Sequence, residues 1–459
     1  MPRAKRNLLN GLLDSPRVRE AARALVEAVA EEAEDRVLSP ELYARSLAEL
    51  GKRRGRELYL PALLGVGGRG ARVRLADGTE KLDFIGGIGV YGFGHADPDL
   101  LETAAVAAAS DSVFQGHLAP GAESLRLSRA LLRHSGRRIR HVWHSVSGSD
   151  ANENALKMIF QKHQPADRML AFEGAFAGRT LAMAEITDKP AYREGLPSRH
   201  GTLYVPFYDP ADPESTRRSL ERLEAHLARN RGRVAGMLFE LIQGEGGVRT
   251  APAEFFRALM ERCRKAQIAV WVDEVQTFAR TSELFAYRAL GLDDLVDLVT
   301  AGKTLQGSAV LFRKAYNPRP GLVAGTYAGS TVGMAVGARI IERLETEGYL
   351  GPDGRTALLG RRFERRLEAL RRRAPQGVGA QSGVGAMQAF VPFDGSAEMV
   401  GAVVRAAFEE GLMVFGAGAN PSRIRFLLPV NTTDEELDTG LTMLEKALRR
   451  VAEEQDVPC

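Results

Sequence analysis

Residues 269–307 read AVWVDEVQTFARTSELFAYRALGLDDLVDLVTAGKTLQG. Two short apolar runs lie in and beside this stretch, 268–272 and 295–300. Both are rich in β-branched residues and lack polar alternation, the pattern of buried parallel strands. Asp273 closes the first run, and Lys303 lies just past the second. Ligands of open α/β sheets sit at the carboxyl ends of strands, so a carboxylate and an amine are expected to face one pocket.

That pair suits pyridoxal 5'-phosphate. The aldehyde of this cofactor needs an amine to bond to, and its ring nitrogen needs an acidic partner to stay protonated and act as an electron sink. Taken singly, Asp273 reads equally well as a helix cap and Lys303 as a solvated loop lysine. The rest of a phosphate site has to come from elsewhere in the chain. Upstream, a predicted strand over 139–142 runs into His144-Ser145-Val146-Ser147-Gly148-Ser149-Asp150, then a helix carrying Ala155, Leu156, Ile159 and Phe160. A Ser147-Gly148-Ser149 turn opening a helix presents backbone N–H groups and the positive end of the dipole, which suits a phosphate, although an ordinary N-cap has the same appearance.

At this point the motifs resemble those of one family. SGSDANENALK (147–157) resembles the SG(S/T)EAxExAxK phosphate motif of class III (subgroup II) aminotransferases, FAGRT (176–180) their FHGRT, and ELIQGEGG (240–247) their EPxQGEGG. DEVQT at 273–277, GKTL at 302–305, GTYAG at 325–329 and RIRFLLPV at 423–430 continue in the family's order, so that the resemblance covers roughly residues 59–444. It implies an α/β protein of fold type I: a mostly parallel central sheet flanked by helices, a smaller α+β C-terminal domain and a helical N-terminal arm. It also implies transfer of a terminal amino group from an ω-amino donor to a 2-oxo acid, by resemblance 2-oxoglutarate, in ping-pong fashion.

The resemblance assigns roles residue by residue. Lys303 would carry the cofactor and act as general base and acid, Asp273 would pair with its ring nitrogen, and Ser147, Gly148 and Ser149 would take its phosphate. Phe176 would stack on the ring, Gln276 would meet the ring hydroxyl, and Thr326 would reach the phosphate of a neighbouring subunit, making a homodimer with shared sites. Arg179 would hold a distal substrate carboxylate. Glu245 and Arg425 would form a switch, the glutamate neutralising the arginine until an acceptor with an α-carboxylate arrives. Ile88, in the Gly-rich stretch 86–95, stands where 4-aminobutyrate enzymes carry Ile and ornithine enzymes Tyr, so an apolar side chain there disfavours a polar α-amino group; the alternative is that Ile88 is merely core. The donor expected first is therefore 4-aminobutyrate, with ornithine, acetylornithine and lysine 6-transaminases behind it, and an aminomutase or racemase as a different class.

Three departures bear on the site. Ala177 replaces the usual His, Asp97 stands where the pattern has a second His, and Phe278-Ala279-Arg280-Thr281-Ser282 replaces a glycine-richer GFGRTG, which puts the shape of that loop in doubt.

Composition frames these readings. A chain of 459 residues with 44% hydrophobic and 26% charged content can bury a large core. A net charge of +4 is small for that size, and the arginines are scattered over predicted helices, which argues against a nucleic-acid partner. Two cysteines exclude a disulfide scaffold, and Cys263 falls on the apolar face of a predicted helix as a buried thiol. No run reaches the length of a membrane span, and the basic start is soon followed by glutamates, so the cytoplasm is the expected compartment. The expected organisation is a helical extension over 1–55, the first part of a small domain over 56–100, a large cofactor-binding domain over 101–345 and a C-terminal small domain over 346–459. Within it, 73–84 reads as a hairpin about Asp77-Gly78, 355–373 as a helix, and the C-terminal part as helix, strand, helix, strand, helix.

Overall fold

In the computed structural model, which describes residues 12, 15–110, 118–197 and 201–459, the chain divides into two units. One comprises Met1–Ala109, Leu358–Gln381 and Ala386–Cys459, the other Ser110–Ala357 and Ser382–Gly385.

The second unit is built on a seven-stranded sheet. Its strands are β1 (His141–Ser145), β2 (Arg168–Phe172), β3 (Gly201–Val205), β4 (Val234–Phe239), β5 (Ala269–Glu274), β6 (Leu298–Ala301) and β7 (Ser308–Phe312). Their order across the sheet is β1-β7-β6-β5-β4-β2-β3. All pairings among β2 to β6 are parallel. β7 runs antiparallel to both β6 and β1. The link from β6 to β7 holds little more than the short turn Lys303–Leu305, too little chain for the crossover that a parallel neighbour needs. β4, β5, β6 and β7 are buried along their whole length, which is why they read as continuous apolar runs.

The helix Gly148–His163 lies on this sheet with Ala151, Asn152, Asn154, Ala155, Leu156, Met158 and Ile159 buried, the three-to-four spacing of an inward face. Its apolar residues share one core with Trp271 of β5, Leu298 of β6 and Val310 of β7. Cys263 is fully buried on the helix Ala253–Lys265, and burial pushes its thiol up to about 12.

The first unit carries helices Pro16–Glu34 and Pro40–Arg54; the part of the expected N-terminal helical segment on residues 1–11 and 13–14 lies outside the described residues. The predicted hairpin forms between Arg72–Leu75 and Glu80–Asp83, antiparallel about Gly78, whose φ is 85°. Asp97 caps the helix Pro98–Ala108 by accepting a hydrogen bond from the Leu100 N–H at 3.1 Å, so the residue that replaces a histidine has a structural task. Helix Arg355–Arg373 forms over the predicted bounds. The chain beyond it holds more strands than the expected simple alternation: Gln381–Val384, Met387–Phe390, the helix Ala397–Glu409, then Leu412–Met413, Phe415–Ala417, Arg423–Leu427 and the helix Asp434–Gln455. These strands are two to five residues long, below the length at which periodicity shows. Among the described residues no helix is long and apolar enough to cross a membrane.

The loop after β5 settles into a tight shape despite its missing glycines. Phe278 is buried edge-on against Phe285 at 5.4 Å, and the Ala279 N–H donates to the Leu284 carbonyl at 2.9 Å. Ala279 takes a φ of 63°, the left-handed region that glycine occupies without steric cost. Replacing Ala279 by Gly is therefore expected to raise stability by up to about 1 kcal/mol, and Ala279→Val to lower it, read from urea midpoints; a loss of stability in Ala279→Gly would mean that the methyl packs more than the backbone strains.

Candidate active site

β5 and β6 pair in parallel with Asp273 opposite Thr300 and Glu274 opposite Ala301, so Lys303 emerges one short step beyond the neighbouring strand's end. Asp273 is the penultimate residue of β5. Its carboxylate is almost fully buried. One oxygen accepts from the Val275 N–H at 2.8 Å, the other from Asn152 Nδ2 at 2.7 Å. Burial raises its pKa from 3.8 to about 6, and the two hydrogen bonds and the charge of Lys303 partly oppose that rise. Lys303 opens a 3-10 turn with a φ of 51°, a conformation that a side chain adopts only when its surroundings enforce it. One enforcing feature is Gly302, where a Cβ would come within 2.8 Å of Ser308 Oγ.

A cavity of about 190 Å³ is lined by Ser147, Gly148, Ser149, Asn152, Phe176, Ala177, Gly178, Glu240, Ile242, Asp273, Val275, Gln276, Thr277 and Lys303. Seven of the residues singled out in the sequence thus meet in one place: Ser147, Gly148, Ser149, Phe176, Asp273, Gln276 and Lys303. Ser147 is the N-cap of the helix Gly148–His163, its hydroxyl accepting from the Asp150 N–H at 3.2 Å, so the cap and the opening of the cavity wall are the same turn. Ser149 Oγ accepts from the Arg179 N–H at 3.3 Å and thereby ties that turn to the Phe176–Arg179 segment. Close approach is built in: a Cβ on Gly148 would lie 2.6 Å from Val275 Cγ1, and one on Gly178 2.4 Å from Ser149 Oγ. Gln276 packs against the Gly244 backbone, where a Cβ would come within 2.1 Å of its amide oxygen.

The other singled-out residues lie elsewhere. Arg179 is exposed, its guanidinium 5.6 Å from the Phe176 ring centroid. Glu245 is partly buried, and its charge helps to raise the pKa of Glu240. Thr326 is exposed and does not line the cavity. Ile88 and Arg425 belong to the first unit. Arg425 is buried in the strand Arg423–Leu427. Ile88 is half-buried and sits in a run of four positive φ angles, 53°, 61°, 59° and 82° at Gly86, Gly87, Ile88 and Gly89. For a β-branched residue that conformation costs about 1–2 kcal/mol. The turn is braced by Asp83, which accepts from the Ile85 and Gly86 N–H groups at 2.9 and 2.8 Å and meets buried His95 at 2.9 Å.

Two further cavity residues stand outside the roles that the motifs imply. Asn152 is buried and divides its amide hydrogens between Asp273 and the Ala177 carbonyl, both at 2.7 Å. A polar residue on the apolar stripe of a helix is the sequence signal for it. Glu240 follows directly on the buried β4, as Asp273 stands near the end of β5, and accepts from the Phe176 N–H at 2.8 Å. Burial and the adjacent Asp273 push its carboxyl well above the ordinary range, which favours the neutral form.

These groups fit pyridoxal phosphate. The fit rests on a buried carboxylate, an amine facing it, a helix N-terminus, and Asn152 Oδ1, buried without a hydrogen-bond partner among the described residues.

Comparison with known proteins agrees. The family described as "Aminotransferase class-III" matches residues 59–448. A 2-aminoadipate transaminase of Pseudomonas putida is 31% identical over 83% of this chain and 94% of its own length. An acetylornithine aminotransferase of Xanthomonas campestris is 33% identical over 83% and 91%. The solved lysine aminotransferase from M. tuberculosis has the same fold, with a TM-score of 0.77 at 23% identity, covering 88% of this chain and 99% of that one.

The raised pKa of Asp273 has a consequence for the protein without cofactor. Its folded value, about 6, lies above the ordinary 3.8, so the folded state binds this proton more tightly and the contribution of Asp273 to stability falls as pH rises from about 4 to about 6. Across that window the urea midpoint of Asp273→Asn is expected to gain on that of the parent as pH rises. Identical slopes would show that the other buried carboxyls, Glu240 and Glu274, carry the whole effect.

Proposed function

Since this chain belongs to the class-III aminotransferase family and is a pyridoxal-phosphate-dependent transaminase, we propose that it moves the terminal amino group of an ω-amino acid, 4-aminobutyrate first, to 2-oxoglutarate. The observation behind this reading is the single cavity that Asp273, Lys303 and the Ser147–Ser149 turn share, with Arg179 beside its aromatic wall. When bound, pyridoxal phosphate supplies an electron sink for charge left on the substrate carbon.

Lys303 would hold the cofactor through its amine, Asp273 would face the ring nitrogen as a carboxylate, and the N–H groups at 147–149 would take the phosphate. Phe176 would cover the ring and Gln276 would meet its hydroxyl. Lys303 contributes the one amine lining the cavity among the described residues, and it would carry a proton away from the donor's reacting carbon and return it in the second half-reaction. Arg179 would grip the carboxylate remote from that carbon, since a guanidinium edge offers two parallel N–H groups. Thr326, exposed and outside the lining, would serve the phosphate of a partner subunit, making the active form a dimer.

By the family resemblance, Ile88 would favour donors without a free α-amino group, because an apolar side chain leaves that group unpaired. The same argument admits N-acetylornithine as a second reading, and relatives named for that substrate support it. Initial rates with 2-oxoglutarate and 4-aminobutyrate, N-acetylornithine, ornithine or lysine separate the cases. The expected order of kcat/KM has 4-aminobutyrate first and the free diamines last. A lead for N-acetylornithine would select the second reading, a lead for ornithine would overturn both, and product formed without any oxo acid would point to an isomerase.

A further inference from the structure

The loop that precedes β3 carries an aromatic residue outside the cofactor cavity. Tyr192 closes the short turn Pro190–Tyr192, and the Arg179 guanidinium lies 3.6 Å from its ring centroid. The same ring stands edge-on to Phe176, with centroids 6.4 Å apart and planes at 85°, and Phe176 lines the cofactor cavity. Lys189 Nζ sits 4.5 Å from the Tyr192 centroid and donates to its hydroxyl at 3.1 Å. This loop is fastened to the Phe176 segment: Thr187 Oγ1 accepts from the Ala177 N–H at 3.0 Å, and Asp188 accepts from the Gly174 N–H at 2.9 Å. The position of Tyr192 is therefore tied to the cavity wall.

We propose that Tyr192 is a positioning residue that holds the Arg179 guanidinium beside Phe176 for the distal carboxylate of a dicarboxylic substrate, with Lys189 adding a second positive charge to that subsite. The proposal rests on the reading of Arg179 as a carboxylate ligand. Many surface arginines of this chain are paired with acids, such as Arg133 with Glu345 and Arg373 with Glu445. Arg179 forms no ion pair among the described residues and is held by aromatic faces instead. That difference matters chemically. A ring takes the flat face of a guanidinium, while a carboxylate takes its N–H edge, so the stack fixes the plane of the fork and leaves its edge for a ligand. It also removes rotamer freedom that a loose arginine would lose on binding.

The test compares Arg179→Ala, Tyr192→Leu, Tyr192→Phe and the Arg179→Ala/Tyr192→Leu double variant in the holoenzyme. It reads KM for 2-oxoglutarate, kcat, and inhibition by glutarate, with pyruvate, which has no distal carboxylate, as the control. Tyr192→Leu keeps bulk without a π face and is expected to weaken 2-oxoglutarate and glutarate about two- to fivefold, the factor a surface cation–π contact supplies, with kcat and pyruvate inhibition unchanged. Tyr192→Phe should behave as the parent. The double variant should be no worse than Arg179→Ala, because the tyrosine acts only through the arginine. If Arg179→Ala itself leaves glutarate binding unchanged, the underlying reading of Arg179 fails. If Arg179→Ala weakens glutarate while Tyr192→Leu does not, or if the two losses multiply in the double variant, the positioning role alone is overturned.

Discussion

Asp273 and Lys303 stand at the ends of β5 and β6, two parallel strands in the interior of one sheet. A carboxylate buried there loses its hydration, and its raised pKa records that loss. Two hydrogen bonds and one nearby amine offset part of the cost, and a cationic ring nitrogen would offset more. Much of the surrounding structure bears on this balance. Asn152 is brought to Asp273 by the helix Gly148–His163, and the same helix presents its N-terminus to the cavity. Val275 reaches from the β5 exit to both Gly148 and Gly302, so the Ser147–Ser149 turn, the carboxylate strand and the lysine turn are packed around one side chain.

The neutral tendency of Glu240 belongs to the same balance. Burial first, and then the charge of Asp273 on the same cavity wall, pushes the Glu240 carboxyl well above the ordinary range. Glu240 accepts from the Phe176 N–H and so ties the aromatic wall to the end of β4.

The parts legible in the sequence are those where chemistry and periodicity coincide. Asp273 and Lys303 can be placed because each follows a buried apolar run, and a parallel sheet delivers the ends of such runs to one edge. The phosphate turn is legible from a Ser-Gly-Ser cap before an amphipathic helix. Asn152 shows only as a polar residue on an apolar stripe, and nothing in the sequence says that its partner lies 121 residues away. The antiparallel β7 is marked only by the shortness of the link after Lys303, a spacing signal rather than a pattern of side chains. The missing glycines of the β5 exit loop have a physical consequence: Ala279 adopts the left-handed conformation that a glycine would take. Tyr192 carries no motif at all, since its meaning comes from Arg179 arriving over its face.

The proposed chemistry depends on Lys303 being the amine that meets the cofactor. Borohydride reduction of the protein loaded with pyridoxal phosphate, followed by digestion and peptide mass spectrometry, tests this directly. The added cofactor mass is predicted on the peptide that contains Lys303, and Lys303→Ala is predicted to take up none at that position or any other in stoichiometric amount. Stoichiometric label on a different lysine of the native protein would contradict this assignment.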